Sequence, residues 1–132
     1  MAHLIEFTTA KFDPAHEPAN PINPIAGHGV LAWLREHVLP GATEPAPEDW
    51  GWYIEVECEG GRYLVGGTCL APEGDPSSPG RHWMIQVHKH RSLVDKLLGR
   101  NRMQPDDVLV ERIRAALRDE PAFRQLEETP GG

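Results

Sequence analysis

The stretch EDWGWYIEVECEGGRYLVGGTC, Glu48 to Cys69, decides the fold, because its alternation specifies a β-hairpin and names both of its faces. Trp50, Trp52, Ile54, Val56 and Cys58 point one way, and Tyr53, Glu55 and Glu57 the other, as in a half-buried antiparallel strand. A two-residue Gly60-Gly61 loop would supply the positive φ values of a type I′ turn, so the expected register sets Glu59 opposite Arg62 and Cys58 opposite Tyr63. Slipping by one residue would expose the whole apolar row. The register also places Cys58 and Cys69 near opposite ends of the hairpin, on the order of 20 Å apart, too far for a disulfide. With no CxxC spacing, the two cysteines read as small buried apolar groups of a reducing compartment.

Outward from the hairpin, His3 to Thr9 reads as a strand with Ile5 and Phe7 on one face. The segment DPAHEPANPINP, Asp13 to Pro24, has four prolines and reads as a loop. Val30, Leu31, Leu34 and Val38 form one stripe of a helix over about Gly29 to Val38, ended by Pro40-Gly41. Residues 71–80 have the composition of a flexible loop, and His82 to His90 alternates as a further strand, with Trp83, Ile85 and Val87 inward. If that strand follows the hairpin antiparallel, His88 lies beside Leu64 and His90 beside Arg62.

Ser92 to Asp95 resembles a capping box, Leu93, Val94, Leu97 and Leu98 form an apolar side, and Gly99 can stop the turn. Pro105 at a first helical position, Asp106 and Asp107 in the first turn, and Val108, Leu109, Ile113, Ala116 and Leu117 on one stripe define the last helix. Phe123 and Leu126 would dock a half-helical tail, frayed from about residue 127. The expectation is a single α+β domain over 1–132: a four-stranded, mainly antiparallel sheet, in the order strand, helix, strand, strand, strand, helix, helix, with the helices packed on one face.

Composition narrows the function classes. A net charge of −7 disfavours a general affinity for nucleic acid or anionic surfaces, although a local basic patch can break that rule. MAHLIEFTT is too mixed for a signal peptide, and no apolar run approaches the roughly 18 residues of a membrane span, so a soluble, cytoplasmic protein is expected. There is no GxSxG, HExxH, P-loop or GxGxxG, and neither a catalytic residue nor a cofactor is assigned.

Three features bear on function. His88-Lys89-His90 projects two imidazoles from one side of a strand, but zinc requires three or four protein ligands, so an exposed histidine pair is the simpler reading and no metal ligand is assigned. His88 to Arg102 carries Lys89, Arg91, Lys96, Arg100 and Arg102 against Asp95 alone, and a helix start beside Arg91 is suited to an anion; a solvated basic edge is the plainer alternative. Four tryptophans are many for this length, but Trp52 and Trp83 point inward as core, which leaves Trp50 and Trp33 as candidate anchors.

The leading expectation is a non-catalytic interaction module, immunity-like or adaptor-like by analogy, that recognises another protein through the outward sheet face. The binding residues it names are Tyr53, Glu57, Arg62, His88, His90 and Arg91. The sheet also offers a homodimer surface. The alternatives are a metal-dependent or acid/base enzyme centred on His88 and His90, and phosphate or nucleic-acid binding through residues 88–102.

Overall fold

A computed structural model describes residues 2–71, 80–104 and 106–130. Its strands are β1 (His3–Thr9), β2 (Ala46–Glu48), β3 (Gly51–Cys58), β4 (Gly61–Ala71), β5 (Arg81–Lys89) and β6 (Arg124–Thr129), and its helices are α1 (His28–His37), α2 (Leu93–Leu98) and α3 (Val108–Asp119). The fold is α+β, with one antiparallel sheet in the order β2-β3-β4-β5-β1-β6. Six strands replace the expected four. The two additions are edge strands whose sequences carry little apolar alternation: β2 is three residues containing Pro47, and β6 is RQLEET. The chain from residue 124 therefore does not dock as a half-helical tail or fray from 127; it pairs with β1 as far as Thr129. The loop expected over 71–80 and the helix start expected at Pro105 fall largely or wholly outside the described residues.

The hairpin forms, but two residues away from the expected register. Trp52 faces Gly67, Ile54 faces Val65, Val56 faces Tyr63 and Cys58 faces Gly61, so Glu59 and Gly60 make the turn, with φ of 51° and 78°. A shift of two preserves which face each side chain takes. Its physical origin lies outside the hairpin. An added Cβ on Gly67 would stand 2.8 Å from both the Gly27 carbonyl oxygen and the Val30 side chain, so the start of α1 rests on bare backbone there. The expected register would set Cys69, not Gly67, opposite Trp52, whose ring meets His28 of α1 edge-on at 4.9 Å. Placing Glu59 in the left-handed region costs about 1–2 kcal/mol, less than losing that close approach.

The core lies on one side of the sheet. Ile5, Phe7, Ile54, Val65, Trp83, Ile85 and Val87 meet Val30, Leu31 and Leu34 of α1 and Leu109, Val110, Ile113 and Leu117 of α3 in one cluster. Cys58 and Cys69 are buried thiols within it. α1 lacks a capping side chain of its own, and Glu17 from the proline-rich segment supplies one, accepting from the N–H groups of Gly27, His28 and Gly29 at 2.8–3.0 Å. α3 is capped by Asp107, which also accepts from the Tyr63 hydroxyl at 2.7 Å and the Lys89 ammonium at 3.0 Å, tying β4 and β5 to the helix. Asp107 is thus the cap and not a first-turn residue. At the other end of the sheet, Glu128 of β6 accepts from Arg114 through both oxygens and lies 2.8 Å from buried His3. No helix among the described residues is long and apolar enough to cross a membrane.

Candidate functional site

On the face away from the helices, the pairing of β4 with β5 is the one read from sequence: His88 faces Leu64, and the His90 N–H donates to the Arg62 carbonyl at 2.7 Å. Two adjoining grooves open around these strands. One, of about 470 Å³, is lined by Trp50, Tyr53, Glu55, Leu64, Gln86 and His88, with Glu48 at its rim. The other, of about 660 Å³, runs round the β3 edge past Thr43, Glu55, Glu57, Arg62, Tyr63 and His90. Glu55 and Leu64 belong to both. Five of the six residues singled out from sequence, Tyr53, Glu57, Arg62, His88 and His90, therefore line this continuous surface, and no residue of the proline-rich segment does.

Trp50 departs from the sequence reading. It lies in the turn between β2 and β3, not in the strand, and its ring covers Gly66 on the outward face: an added Cβ there would come within 2.6 Å of the indole. The reason is the clamp on its turn. Asn20 donates its amide to the carbonyls of Glu48 at 2.9 Å and Gly51 at 2.8 Å, Asn23 donates to that of Asp49 at 2.7 Å, and Thr68 donates to that of Trp50 at 2.9 Å. All four turn carbonyls are thereby satisfied by side chains, which holds an otherwise irregular loop in one conformation. Nothing in the local pattern announces the clamp, because Asn20 and Asn23 lie 26 to 31 residues from the carbonyls they bind.

The β3 edge is paired from Gly51 as far as Glu55. β2 pairs only with Gly51 to Tyr53, and Thr43 then takes over, donating its N–H to the Glu55 carbonyl and accepting from the Glu55 N–H through its hydroxyl. Antiparallel alternation turns the N–H and C=O of Glu57 to the same edge. Arg62 stands across from Glu57, with Nε 4.0 Å from its carboxylate, an exposed pair of small energetic worth. Partial desolvation against the sheet lowers the His88 pKa from the ordinary imidazole value, and its Nε2 lies 3.2 Å from Gln86 Oε1.

Arg91, the sixth residue, is placed elsewhere. It lies beyond β5 and donates to the carbonyls of Asp95 at 3.2 Å and Arg100 at 3.0 Å, bracing the C-terminal end of α2. The start of α2 is closed by its own capping box, in which the Ser92 hydroxyl accepts from the Asp95 N–H and the Asp95 carboxylate accepts from the Ser92 N–H. Trp33 packs its ring against Phe123 at 4.8 Å and is partly buried. Among the described residues, no three of His, Cys, Asp and Glu converge as a group that could hold a metal ion. The chain matches no family model, no curated protein and no solved structure.

Proposed function

We propose that this protein is a non-catalytic interaction module that takes an extended, basic segment of another protein along the β3 edge and across the outward sheet face. The observation that carries the reading is Trp50, an aromatic side chain pinned by four side-chain hydrogen bonds to its turn beside two open grooves. Rigid aromatic anchors lose little entropy on binding and commonly supply most of an interface's energy. Backbone groups at Glu57 offer main-chain pairing to an added strand, the recognition mode in which alternate side chains then fill flanking pockets.

Charge selects the partner. The run from Glu44 to Glu59 has six acids and no base, and Glu48, Glu55 and Glu57 line the grooves themselves. These carboxylates discourage indiscriminate pairing at a strand edge and favour a segment bearing Lys or Arg. His88 and the Tyr53 hydroxyl add polar contacts on the face.

Affinity capture from cell lysate with wild type, Trp50→Ala and Glu57→Lys tests the reading. A partner retained at low salt, released by moderate salt and lost by both variants is expected. Recovery of no salt-sensitive partner, or equal recovery by both variants, would overturn it.

A further inference from the structure

α2 is an amphipathic helix turned inside out. Leu93, Val94, Leu97 and Leu98 are 76%, 53%, 78% and 64% exposed, and no residue of the helix is buried. At 3.6 residues per turn the four lie within an arc of roughly 140°. The order of the segment does not come from that apolar face. It comes from the Ser92–Asp95 capping box, from Arg91 bonded to the carbonyls of Asp95 and Arg100, and from Gly99 in the left-handed conformation at φ 66°. A six-residue helix is far too short to hold itself, so these bonds keep it formed while its large side chains do nothing for the core. A helix with four adjacent exposed aliphatic side chains marks a surface that something covers.

Charge indicates what. From His88 to Arg102 there are five Lys and Arg against Asp95 alone, whereas the remaining eight basic residues of the chain face nineteen acids. Lys96 in the helix and Arg100 and Arg102 just beyond it are all exposed, Arg100 with its Nε 3.9 Å from the Asp95 carboxylate. A second copy brought face to face would oppose these cations to themselves, and four apolar residues fall well short of the roughly 20–30 residues a side of a stable dimer. An exposed apolar helix face in a locally cationic segment suits a surface that is apolar beneath and anionic above. Repulsion between such a surface and acidic residues farther than the Debye length of about 8 Å is screened at physiological salt.

We infer that α2 is a membrane-surface anchor: its four aliphatic side chains enter the headgroup boundary of an anionic bilayer while Lys96, Arg100 and Arg102 meet lipid phosphates and carboxylates. This is attachment to one face of a bilayer, not a span. It is independent of the sheet grooves, none of whose lining residues lies in α2.

Sedimentation with vesicles of phosphatidylcholine alone and of phosphatidylcholine with a minority of phosphatidylserine tests it on the full chain. Wild type should bind the anionic vesicles only, and release as salt is raised. Leu93→Asp/Leu97→Asp should weaken binding more than about tenfold, and Lys96→Gln/Arg102→Gln by about fivefold per cation removed. The two variants alter different attractions at exposed positions, so a folding defect in one, visible as a lowered melting temperature, leaves the other decisive. No binding to anionic vesicles at low salt, equal binding to neutral ones, or binding untouched by both variants overturns the inference. So does a wild-type dimer that Leu93→Asp/Leu97→Asp dissociates without any vesicle binding, which assigns the patch to a second copy.

Discussion

Replacing Asp107 by Ala should be among the costliest single changes outside the apolar core. The carboxylate caps α3 by accepting from the Leu109 N–H at 3.1 Å, and the loss of such a cap costs about 1 kcal/mol. It is the acceptor for the buried Tyr63 hydroxyl, and leaving that donor unpartnered costs about 1–3 kcal/mol. It also pairs Lys89, whose side chain is 18% exposed and can recover part of its hydration, so this contribution is about 1 kcal/mol. The sum is about 3–5 kcal/mol, a large part of the 5–15 kcal/mol typical of a domain. Urea unfolding followed by tryptophan fluorescence reads the effect directly. Asp107→Asn keeps an acceptor for the cap and for Tyr63, and should cost less than half as much. Tyr63→Phe should cost about 1 kcal/mol by itself. Combined with Asp107→Ala it should add nothing, because the orphaned hydroxyl is gone. A cost for Asp107→Ala below about 1 kcal/mol, or full additivity of the two changes, would refute the claim that the three groups act as a unit.

Burial, with the hydrogen bond to Asp107 and its negative charge, raises the Tyr63 pKa above the ordinary 10.0. The proton is held more tightly in the folded state, so Tyr63 contributes fully below pH 10 and its contribution is lost as pH rises; Tyr63→Phe should flatten the alkaline limb of a pH–stability curve. Glu128 has the opposite sign: the Arg114 hydrogen bonds, helped by His3, lower its pKa from 4.5 to about 2, so its contribution is present above pH 4.5 and lost as pH falls through 2. Glu128→Gln should remove most of that acid limb in thermal melts between pH 2 and 5. Glu17→Ala should cost about 1–2 kcal/mol in urea unfolding by uncapping α1, with Glu17→Gln recovering part of it, although residue 17 lies in a loop. Gly66→Ala should drive the Trp50 ring off the sheet, shifting its fluorescence to the red and weakening partner capture while leaving most of the stability intact.

What the sequence determines here is periodic and local. The alternation in β1, β3, β4 and β5, the apolar stripes of α1 and α3, the capping box at Ser92 and the pairing of His88 with Leu64 are all legible, because each depends on neighbours a few residues apart or on face parity. The edge strands β2 and β6 were not legible, since an edge strand buries little and carries no alternation to read. The hairpin turn is a case between the two: Gly60-Gly61 announces a turn of the right type, but the two-residue offset is decided by the start of α1 resting on Gly67, a contact between segments 40 residues apart. Distance along the chain likewise hid the Asn20 and Asn23 clamp, and with it the turning of Trp50 to the outward face. The apolar side of α2 was visible as a pattern, and its direction was not. Periodicity states that Leu93, Val94, Leu97 and Leu98 share a side, whereas only the packing of the whole chain decides whether that side meets a core or meets water.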